Sequence, residues 1–507
     1  MNTKMRKINI LLAAICVVLM TSCSGFLDKK PTNQADSSTT IMNTNDAQVM
    51  INGVMSKMLS SSYYGRNFLL WGDGRSGDVT TVSAGNGGDG YYYYNHEVNS
   101  NSYEGFWSTM YNDLLQVNNI IANLVRLKAE SETPTTEYDD FLGQAYTLRA
   151  MIHFDLVRLY GKPYNMDKGA SLGVPVVTEI VNASEQRTRN TVAEVYTQIV
   201  KDLLDGAKLI GKDKNNGYIN YYGNQALLAK VYLYMENWSG AQEAAENVIN
   251  SGVYELYTPA KWVDSWKGQF GTESIFELAV LETENDLGNS SPGAYYRRQK
   301  HGSSSIVGVF VMSKYWIELM DDADVRLGVH SHDITVEDEP ALYGWRGEKG
   351  SCYKYSGGIN LEGDGKSTSS SVNIKVIRLS EVVLNAAEAA LNNNQAAKAA
   401  EYLNMIAQRN PNYTPWTAAT VTSAEIMKER RREFITEGIV FFERIRLNET
   451  LQFDDNAFNK GTNPPQSGRG SLPNKAVTRD FNKIILPIGQ HEINANPEIA
   501  KQQNPGY

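Results

Sequence analysis

The sequence predicts a mostly α-helical protein built from about four degenerate helical hairpins, with long loop insertions and an irregular second lobe. Three observations lead to this prediction. Amphipathic stretches with apolar residues every three to four positions occur in both halves of the chain. Two of these stretches share one spacing of alanines. The residues between the two halves lack helical periodicity and are rich in Trp, Tyr, Gly and Ser.

The composition is that of a globular protein with many tyrosines. Of 507 residues, 42% are hydrophobic and 21% are charged, which is enough apolar material for an ordinary core. Tyr outnumbers Phe by 29 to 14, and Tyr suits surfaces that bind ligands because its ring is apolar and its tip is polar. The net charge of −9 becomes −12 without the three basic residues of segment 1–22. This acidic balance argues against nucleic acid as a partner.

The first 22 residues have the features of a secretory signal peptide. A basic start precedes the apolar run INILLAAICVVLM, which is too short for a comfortable transmembrane helix. The run ends in LMTSC, which resembles the site at which bacterial lipoproteins are cut and acylated. We therefore predict that Cys23 carries lipid and that residues 23–43, which are polar and contain proline, form a tether.

Residues 44–254 are predicted to form an N-terminal half of helical hairpins. In the hairpin at 224–252, Ala229 and Ala241 are twelve residues apart, and Ala387 and Ala399 repeat this spacing at 380–407. That is the tetratricopeptide spacing, in which a small residue on each helix lets the two helices pack closely. The hairpins are predicted to stack into one solenoid with a shared core.

The other segments are predicted from composition and periodicity. Residues 64–102 are rich in Gly, Asn, Asp and Tyr and are expected to form a long surface loop. Residues 255–374 are expected to form the irregular, loop-rich lobe, with a strand at ESIFELAVL. Residues 375–507 are the C-terminal half, in which one last helix over 425–447 is followed by a tail that is mostly loop.

Four motifs, in order along the chain, resemble the SusD/RagB family. They are CSGFLDKKP at the expected mature N-terminus, AYTLRAMIHFDLVRLYGKPY followed by GVPVV, ERRREFITEG, and ILPIGQHEINANPEIAKQQNPGY at the end. The departures are small: Gly489 stands where proline is common, and GIVFFERIRL lacks the more usual Arg and Trp. The resemblance implies a lipoprotein of a Bacteroidetes-type outer membrane, facing the cell exterior. Such a protein captures nutrient oligomers, most often glycans, for a SusC-like TonB-dependent outer-membrane transporter.

Most residues of these motifs are interpreted as structural. They lie on predicted helices beside apolar faces, where paired charges and aromatic caps fix packing. The residues concerned are Arg149, Tyr160, Arg431, Glu433 and Glu437.

No enzyme, metal or cofactor site is predicted. The sequence lacks a phosphate-binding loop, H-E-x-x-H and G-x-S-x-G, and no carboxylate pair stands out for glycoside hydrolysis. His330, His332 and Asp333 are interpreted as a solvated cluster. The acidic run before Arg326 lacks the Gly and distal Glu of a calcium loop. Cys352 is interpreted as structural, because no base lies beside it in the sequence.

Exposed aromatic residues are the strongest functional signal. Four consecutive tyrosines, 91–94, precede Asn95, and alternate side chains of an extended run point to opposite sides, so at least two should meet water. Flat rings suit the C–H faces of pyranoses, while Asp, Asn and Arg hydrogen-bond their hydroxyl groups. The alternative is that the rings pack the loop onto the helical body. The candidate ligand-binding residues here are Trp71, Asp73, Arg75, Tyr92, Tyr94 and Asn95.

A second aromatic group follows a Pro-Gly turn in the irregular lobe and consists of Tyr295, Tyr296 and Arg297. The resemblance implies that insertions from both halves meet over one shallow site. Three functions compete at this stage. The leading one is a non-catalytic glycan-binding lipoprotein, the second keeps the fold and transporter but binds oligopeptides, and the third is a surface glycoside hydrolase.

Overall fold

The computed structural model describes residues 40–81, 89–94, 96–99, 101–182, 185–297, 307–331, 350–358, 363–366, 370–453 and 476–507. The signal segment, Cys23, most of the tether, Asn95, His332 and Asp333 lie outside these ranges. Most of the regular structure is α-helical, as predicted. Within the described ranges, no helix combines the length and the apolar character needed to cross a membrane.

Helices occur from the start to the end of the folded chain. Within the described ranges the first eight are α1 (Thr44–Met58), α2 (Asn67–Gly74), α3 (Asp89–Tyr93), α4 (Asn101–Glu130), α5 (Asp139–Tyr160), α6 (Val192–Ala207), α7 (Tyr221–Tyr234) and α8 (Trp238–Ile249). The others are α9 (Pro259–Trp262), α10 (Pro292–Tyr296), α11 (Lys314–Ile317), α12 (Leu379–Asn392), α13 (Ala396–Ala407), α14 (Ser423–Phe434), α15 (Val440–Arg446), α16 (Gln490–Ala495) and α17 (Pro497–Ala500).

The strands form short antiparallel pairs. They are β1 (Val79–Thr81), β2 (Ser274–Leu278), β3 (Phe310–Met312), β4 (His330–Ser331), β5 (Ser351–Cys352), β6 (Ile374–Arg378), β7 (Leu451–Gln452) and β8 (Ala476–Val477). The pairs are β1 with β3, β2 with β6, β4 with β5, and β7 with β8. Strand β2 lies within ESIFELAVL, where the sequence predicts a strand.

Two helical hairpins have the close contacts that the alanine spacing predicts. Helices α7 and α8 pack together, as do α12 and α13, and α8 also packs against α12. The four alanines of the repeated spacing are all fully buried, which removes the space that a longer side chain would need. These four are Ala229, Ala241, Ala387 and Ala399. The assignment of these and two further helix pairs to tetratricopeptide-like repeats stays a prediction.

The prediction of a surface loop at 64–102 is wrong for residues 67–81, which are all buried. Helix α2 is buried at every position, and β1 is buried as well. Glycine serves close packing here: a Cβ on Gly72 would lie 1.9 Å from the carbonyl oxygen of Gly438. The glycines that suggest a loop in the sequence therefore allow α2 to enter the core.

The single helix predicted over 425–447 is also wrong. Helix α14 ends at Phe434 and α15 begins at Val440, because Thr436 and Gly438 adopt left-handed backbone angles, with φ of 67° and 73°. The apolar periodicity continues across this break, so the pattern alone does not reveal it. The turn presents the backbone N–H of Gly438 to the carboxyl group of Asp73, with an N···O distance of 3.0 Å.

The C-terminal motif fastens the end of α5. The Asn504 amide donates to the backbone carbonyls of Tyr160 at 2.8 Å and Leu486 at 2.6 Å. The Arg189 guanidinium donates to the Asn504 side-chain oxygen at 2.9 Å and to the Gln502 carbonyl at 2.6 Å. The closing Gln-Asn-Pro-Gly-Tyr pattern thus has a structural role in this chain.

Candidate functional site

The two aromatic segments singled out in the sequence meet in the structure. Strand β1 pairs with β3, so that Val79 lies opposite Met312. The Tyr296 hydroxyl on α10 donates a hydrogen bond of 2.6 Å to Asp73 Oδ2 on α2. We call the contact of residues 66–81 and 89–94 with residues 290–297 the insertion junction. It joins an insertion of the N-terminal half to one of the irregular lobe.

Asp73 is the polar centre of the insertion junction. Its side chain is fully buried and accepts hydrogen bonds from Tyr296 and from the Gly438 backbone. Burial raises the pKa of this carboxyl group to about 8, against the opposing effect of both hydrogen bonds. The group is therefore mostly neutral at pH 7. Its Oδ1 atom has no hydrogen-bond partner among the described residues.

Arg75 is held between aromatic rings. Its guanidinium carbon lies 3.9 Å from the Trp71 ring centroid and 3.7 Å from that of Tyr94, with Phe441 at 5.0 Å. The Tyr94 hydroxyl donates to the Arg75 carbonyl at 2.9 Å. The guanidinium also donates to the Lys483 carbonyl. A desolvated cation between rings gains about 2 kcal/mol from each good contact, so this arrangement fixes the end of α2.

The expectation that the tyrosines are exposed is wrong. Tyr92, Tyr94, Tyr295 and Tyr296 are 1%, 2%, 5% and 1% exposed, and Tyr91 is also buried. Residues 91–93 of the tyrosine run are helical in α3, and Tyr94 follows with a φ of 53°, so the side chains do not alternate as in an extended segment. Phe453 of the C-terminal half packs edge-on against Tyr92 and Tyr94, with centroid distances of 5.4 and 5.9 Å.

The other candidate residues share this burial. Trp71, Asp73, Arg75 and Arg297 are all fully buried, and Arg297 donates to the Ser356 hydroxyl at 3.0 Å. Asn95 and the side chain of Tyr93 lie outside the described residues. The structure thus brings the described candidate residues together, but as packed, buried side chains and not as an exposed surface. Whether the nine residues bind a ligand stays a prediction.

Arg66 is a residue of the junction that the sequence analysis missed. It is half-buried at the start of α2 and donates to the Tyr295 hydroxyl at 3.2 Å. Its guanidinium carbon lies 5.5 Å from the centroid of the same ring. It also lies 3.5 Å from the Ser290 hydroxyl, beside the mostly exposed loop 281–290. No local motif marks Arg66, because Tyr295 is 229 residues away in the sequence.

Ion pairs connect the insertion junction to the rest of the protein. Arg431 donates to both Asp78 carboxylate oxygens, the shortest N···O distance being 2.6 Å. Glu437 receives hydrogen bonds from Lys354 at 2.7 Å and from Arg378 at 2.8 Å. These pairs link the ERRREFITEG motif to the residues after α2 and to the irregular lobe.

Glu433 is the carboxylate on which three arginines converge. Arg378 and Arg326 lie 3.0 and 3.2 Å from its oxygens, and Arg409 also pairs with it. Burial alone would raise the pKa of Glu433. The three positive charges outweigh this effect and hold the pKa well below its usual range. Arg149 similarly pairs with buried Asp202 at 2.6 Å, and the Tyr160 ring packs edge-on against Trp107. The five signature residues are thus paired or packed within the fold, as the structural interpretation expects, although Glu437 lies in the turn between α14 and α15 and not on a helix.

The remaining reactive side chains have packing roles where they are described. The expectation that His330 is solvated is wrong, because it is 5% exposed and its ring centroid lies 4.6 Å from that of Trp316. Cys352 is buried, and burial raises the pKa of its thiol, which disfavours the nucleophilic thiolate. Asp324 is paired with Arg326 at 2.7 Å. Among the described residues, no group of three or more His, Cys, Asp or Glu side chains is arranged to hold a metal ion.

Two family models match the chain. The model described as "SusD family" matches residues 346–507, and the one described as "Starch-binding associating with outer membrane" matches residues 25–233. Among curated proteins, SusD-like protein P38 of Formosa agariphila is 23% identical over 419 residues, which cover 75% of this chain and 76% of that protein. A SusD-like protein of Bacteroides ovatus is 21% identical, and the match covers 84% of this chain and 80% of that protein.

Two proteins of solved structure are more similar in sequence to this chain than these two curated proteins are. A SusD superfamily protein from Bacteroides thetaiotaomicron is 31% identical to this chain, with a TM-score of 0.80. The match covers 92% of this chain and 100% of that protein. A candidate sugar-binding protein from Bacteroides vulgatus is 32% identical, with the same TM-score and coverage. Identity above 30% over the whole of these relatives shows common descent as well as a common fold. The chain therefore belongs to the SusD/RagB family.

Proposed function

We propose that this protein is a non-catalytic binding lipoprotein of the outer-membrane surface that captures oligosaccharides. It would deliver them to a SusC-like TonB-dependent transporter. The observation that supports the cargo most directly is the match of residues 25–233 to a family model described as starch-binding. The 32% identity to a candidate sugar-binding protein supports the same class of ligand.

The insertion junction is the proposed place of capture. The nine predicted residues would act mainly by holding the two insertions together, since the described ones are buried. The ligand would contact the edge where the junction reaches solvent, at Arg66 and Ser290, both half-buried. A guanidinium and a hydroxyl group held beside a tyrosine are suitable partners for sugar hydroxyl groups.

The described acidic side chains of the junction, Asp73 and Asp78, favour binding over hydrolysis. A glycosidase needs two carboxyl groups that reach the scissile bond from both sides. Asp73 is fully buried and Asp78 is paired with Arg431, so neither carboxyl group is available to a substrate in solution.

Native gel electrophoresis in polysaccharide-containing gels tests the proposal. Soluble starch, xylan, pectin and arabinogalactan would each be included in separate gels, and released sugar would be measured in parallel. We expect retardation by at least one polysaccharide and no release of product. Release of product would identify a hydrolase. Retardation by none, with binding to a casein hydrolysate instead, would favour oligopeptide cargo.

An arginine variant tests the place of capture. We expect Arg66→Ala to weaken retardation by about 3- to 10-fold, as for loss of one or two hydrogen bonds. Arg187→Ala is the matched control, because Arg187 is also half-buried and paired but lies outside the junction. If both variants are retarded like the wild type, capture does not occur at this edge.

A further inference from the structure

An open groove of about 660 Å³ crosses the two helical hairpins at a place that shares no residue with the insertion junction. Helix α8 forms one wall, the turn between α12 and α13 forms the other, and the start of α7 closes one end. Among the residues that the structure describes, the twelve side chains that line it are all polar: they are Lys, Tyr, Ser, Gln, Glu and Asn, with no aliphatic side chain.

The floor of the groove is a fixed amide network. Gln242 is only 6% exposed and donates to Glu246 at 2.8 Å and to Gln395 at 3.0 Å. Its side-chain oxygen accepts from Asn393 at 2.8 Å. Because these bonds join α8 to the turn of the other hairpin, the two walls are held in one relative position. A preorganised site loses little entropy when a ligand binds.

The α8 wall presents hydrogen-bonding groups to solvent. Glu243, Asn247 and Asn250 occupy exposed positions at intervals of four and three residues, which places them on one helix face. Asn247 is oriented by a hydrogen bond of 3.2 Å from its amide to Gln225. Carboxylate and amide groups in a row match the alternating donors and acceptors of sugar hydroxyl groups.

Two tyrosines supply flat surfaces at the end of the groove. The rings of Tyr221 and Tyr222 are half-buried, with centroids 5.4 Å apart and planes at 81°. Two perpendicular ring faces suit the C–H face of a pyranose at the edge of an amide-lined channel. Lys212 lies 4.9 Å from the Tyr221 centroid, and Lys398 pairs with Glu246 at 2.5 Å, which offsets the charge of one of the two glutamates.

From this arrangement we infer that the groove is a second subsite for a neutral oligosaccharide, separate from the insertion junction. A peptide in a helical-repeat groove needs apolar pockets for its side chains, which this lining does not provide. The near balance of charge does not select a polyanion. The inference rests on the proposed function, because it assigns the same class of cargo to a further place. Two weak sites on one molecule would increase the avidity for a polymer.

The test uses the full chain, the polysaccharide that retards the wild type, and variants in the groove. The variants are Tyr221→Ala and the double change Asn247→Ala with Asn250→Ala. The control is Asn52→Ala, an asparagine that is also exposed and lies on helix α1. We expect each groove variant to reduce the apparent affinity for the polymer by about 3- to 10-fold, and the control to leave it unchanged.

A second measurement separates binding from folding. Addition of a heptasaccharide of the same polymer should slow hydrogen–deuterium exchange in residues 239–251 of the wild type and not of the double variant. Wild-type affinity in both groove variants, with no slowed exchange, would overturn the second subsite and leave the proposed function intact. If the wild type binds no polysaccharide at all, both proposals are wrong.

Discussion

Asp73 and Tyr296 are 223 residues apart in the sequence and share a hydrogen bond of 2.6 Å at the centre of the insertion junction. The same carboxyl oxygen accepts the backbone N–H of Gly438. One side chain thus connects α2, α10 and the break between α14 and α15. Each of these partners comes from a different region of the chain, so the position of Asp73 determines how the regions meet.

We predict that Asp73→Asn removes a pH dependence of stability. The pKa of Asp73 is raised from 3.8 to about 8, so the folded chain holds a proton that the unfolded chain loses above pH 4. The stability that the neutral form provides is complete below pH 4 and is lost as pH rises to about 8. Within this window, the free energy of unfolding of the wild type should therefore fall by up to about 1.4 kcal/mol per pH unit relative to that of the Asp73→Asn variant.

Urea unfolding at pH 5, 6, 7 and 8 measures this difference. Asn has the shape of the neutral acid and keeps an oxygen for both hydrogen bonds. Asp213→Asn, at an exposed position, is the control and should show no such trend. A difference between wild type and Asp73→Asn that stays constant with pH would mean that Asp73 is ionised in the folded protein.

The helices were predictable where packing repeats locally, and less so where it depends on distant residues. Apolar residues three to four positions apart predict helices α4 and α5. One repeated spacing predicts the buried alanines of the hairpins. The position of α2 does not follow in this way. It depends on the contact between Gly72 and Gly438, which are far apart in the sequence.

The sequence predicted which residues come together at the candidate site, but it did not predict that they are buried. Aromatic composition identified residues that the structure brings together, including Asp73 and Tyr296. The burial of Tyr92 and Tyr94 involves Phe453 of the C-terminal half, which packs edge-on against both rings. Arg66 has no local signal, because only the fold places it beside Tyr295.

Tyr94 is predicted to stabilise the fold through Arg75. Tyr94→Ala removes one face of the ring sandwich and leaves a cavity beside a buried cation, so it should cost about 3 to 5 kcal/mol. Tyr94→Phe keeps the ring and loses only the hydrogen bond to the Arg75 carbonyl, which should cost about 1 kcal/mol. Thermal unfolding of both variants measures the difference. An Ala variant that melts normally but binds glycan weakly would restore the interpretation of Tyr94 as a ligand contact.

Glu433 is predicted to be essential to the buried ion network. Glu433→Gln leaves Arg326, Arg378 and Arg409 without the carboxylate on which they converge. Loss of one partner from a buried network costs about 3 to 5 kcal/mol, so we expect a large fall in the urea midpoint. Glu401→Gln, at an exposed position on α13, should unfold like the wild type. Equal midpoints for the two variants would show that the network contributes little net stability.

The hairpin prediction can be tested by filling the helix crossings. Ala241→Leu and Ala399→Leu add volume where the alanines are fully buried, and each should cost about 1 to 3 kcal/mol. Ala397→Leu is a control on the same helix as Ala399, because Ala397 is exposed. Unchanged melting of both buried variants would contradict close helix packing at the repeated positions.

The anchor is predicted to be lipid on Cys23. The apolar run before LMTSC is short, so the protein should be cut before Cys23 and held in the membrane by acyl chains on that residue. Cys23→Ala should abolish labelling with a radioactive fatty acid. Cys16→Ala is the matched control: Cys16 lies within the same segment and should be removed with it, so labelling and membrane fractionation should be unaffected. Protease treatment of intact cells then measures surface exposure, and degradation of the wild type is expected. A Cys23→Ala variant that remains uncut and membrane-bound without label would show that the N-terminal segment itself is the anchor.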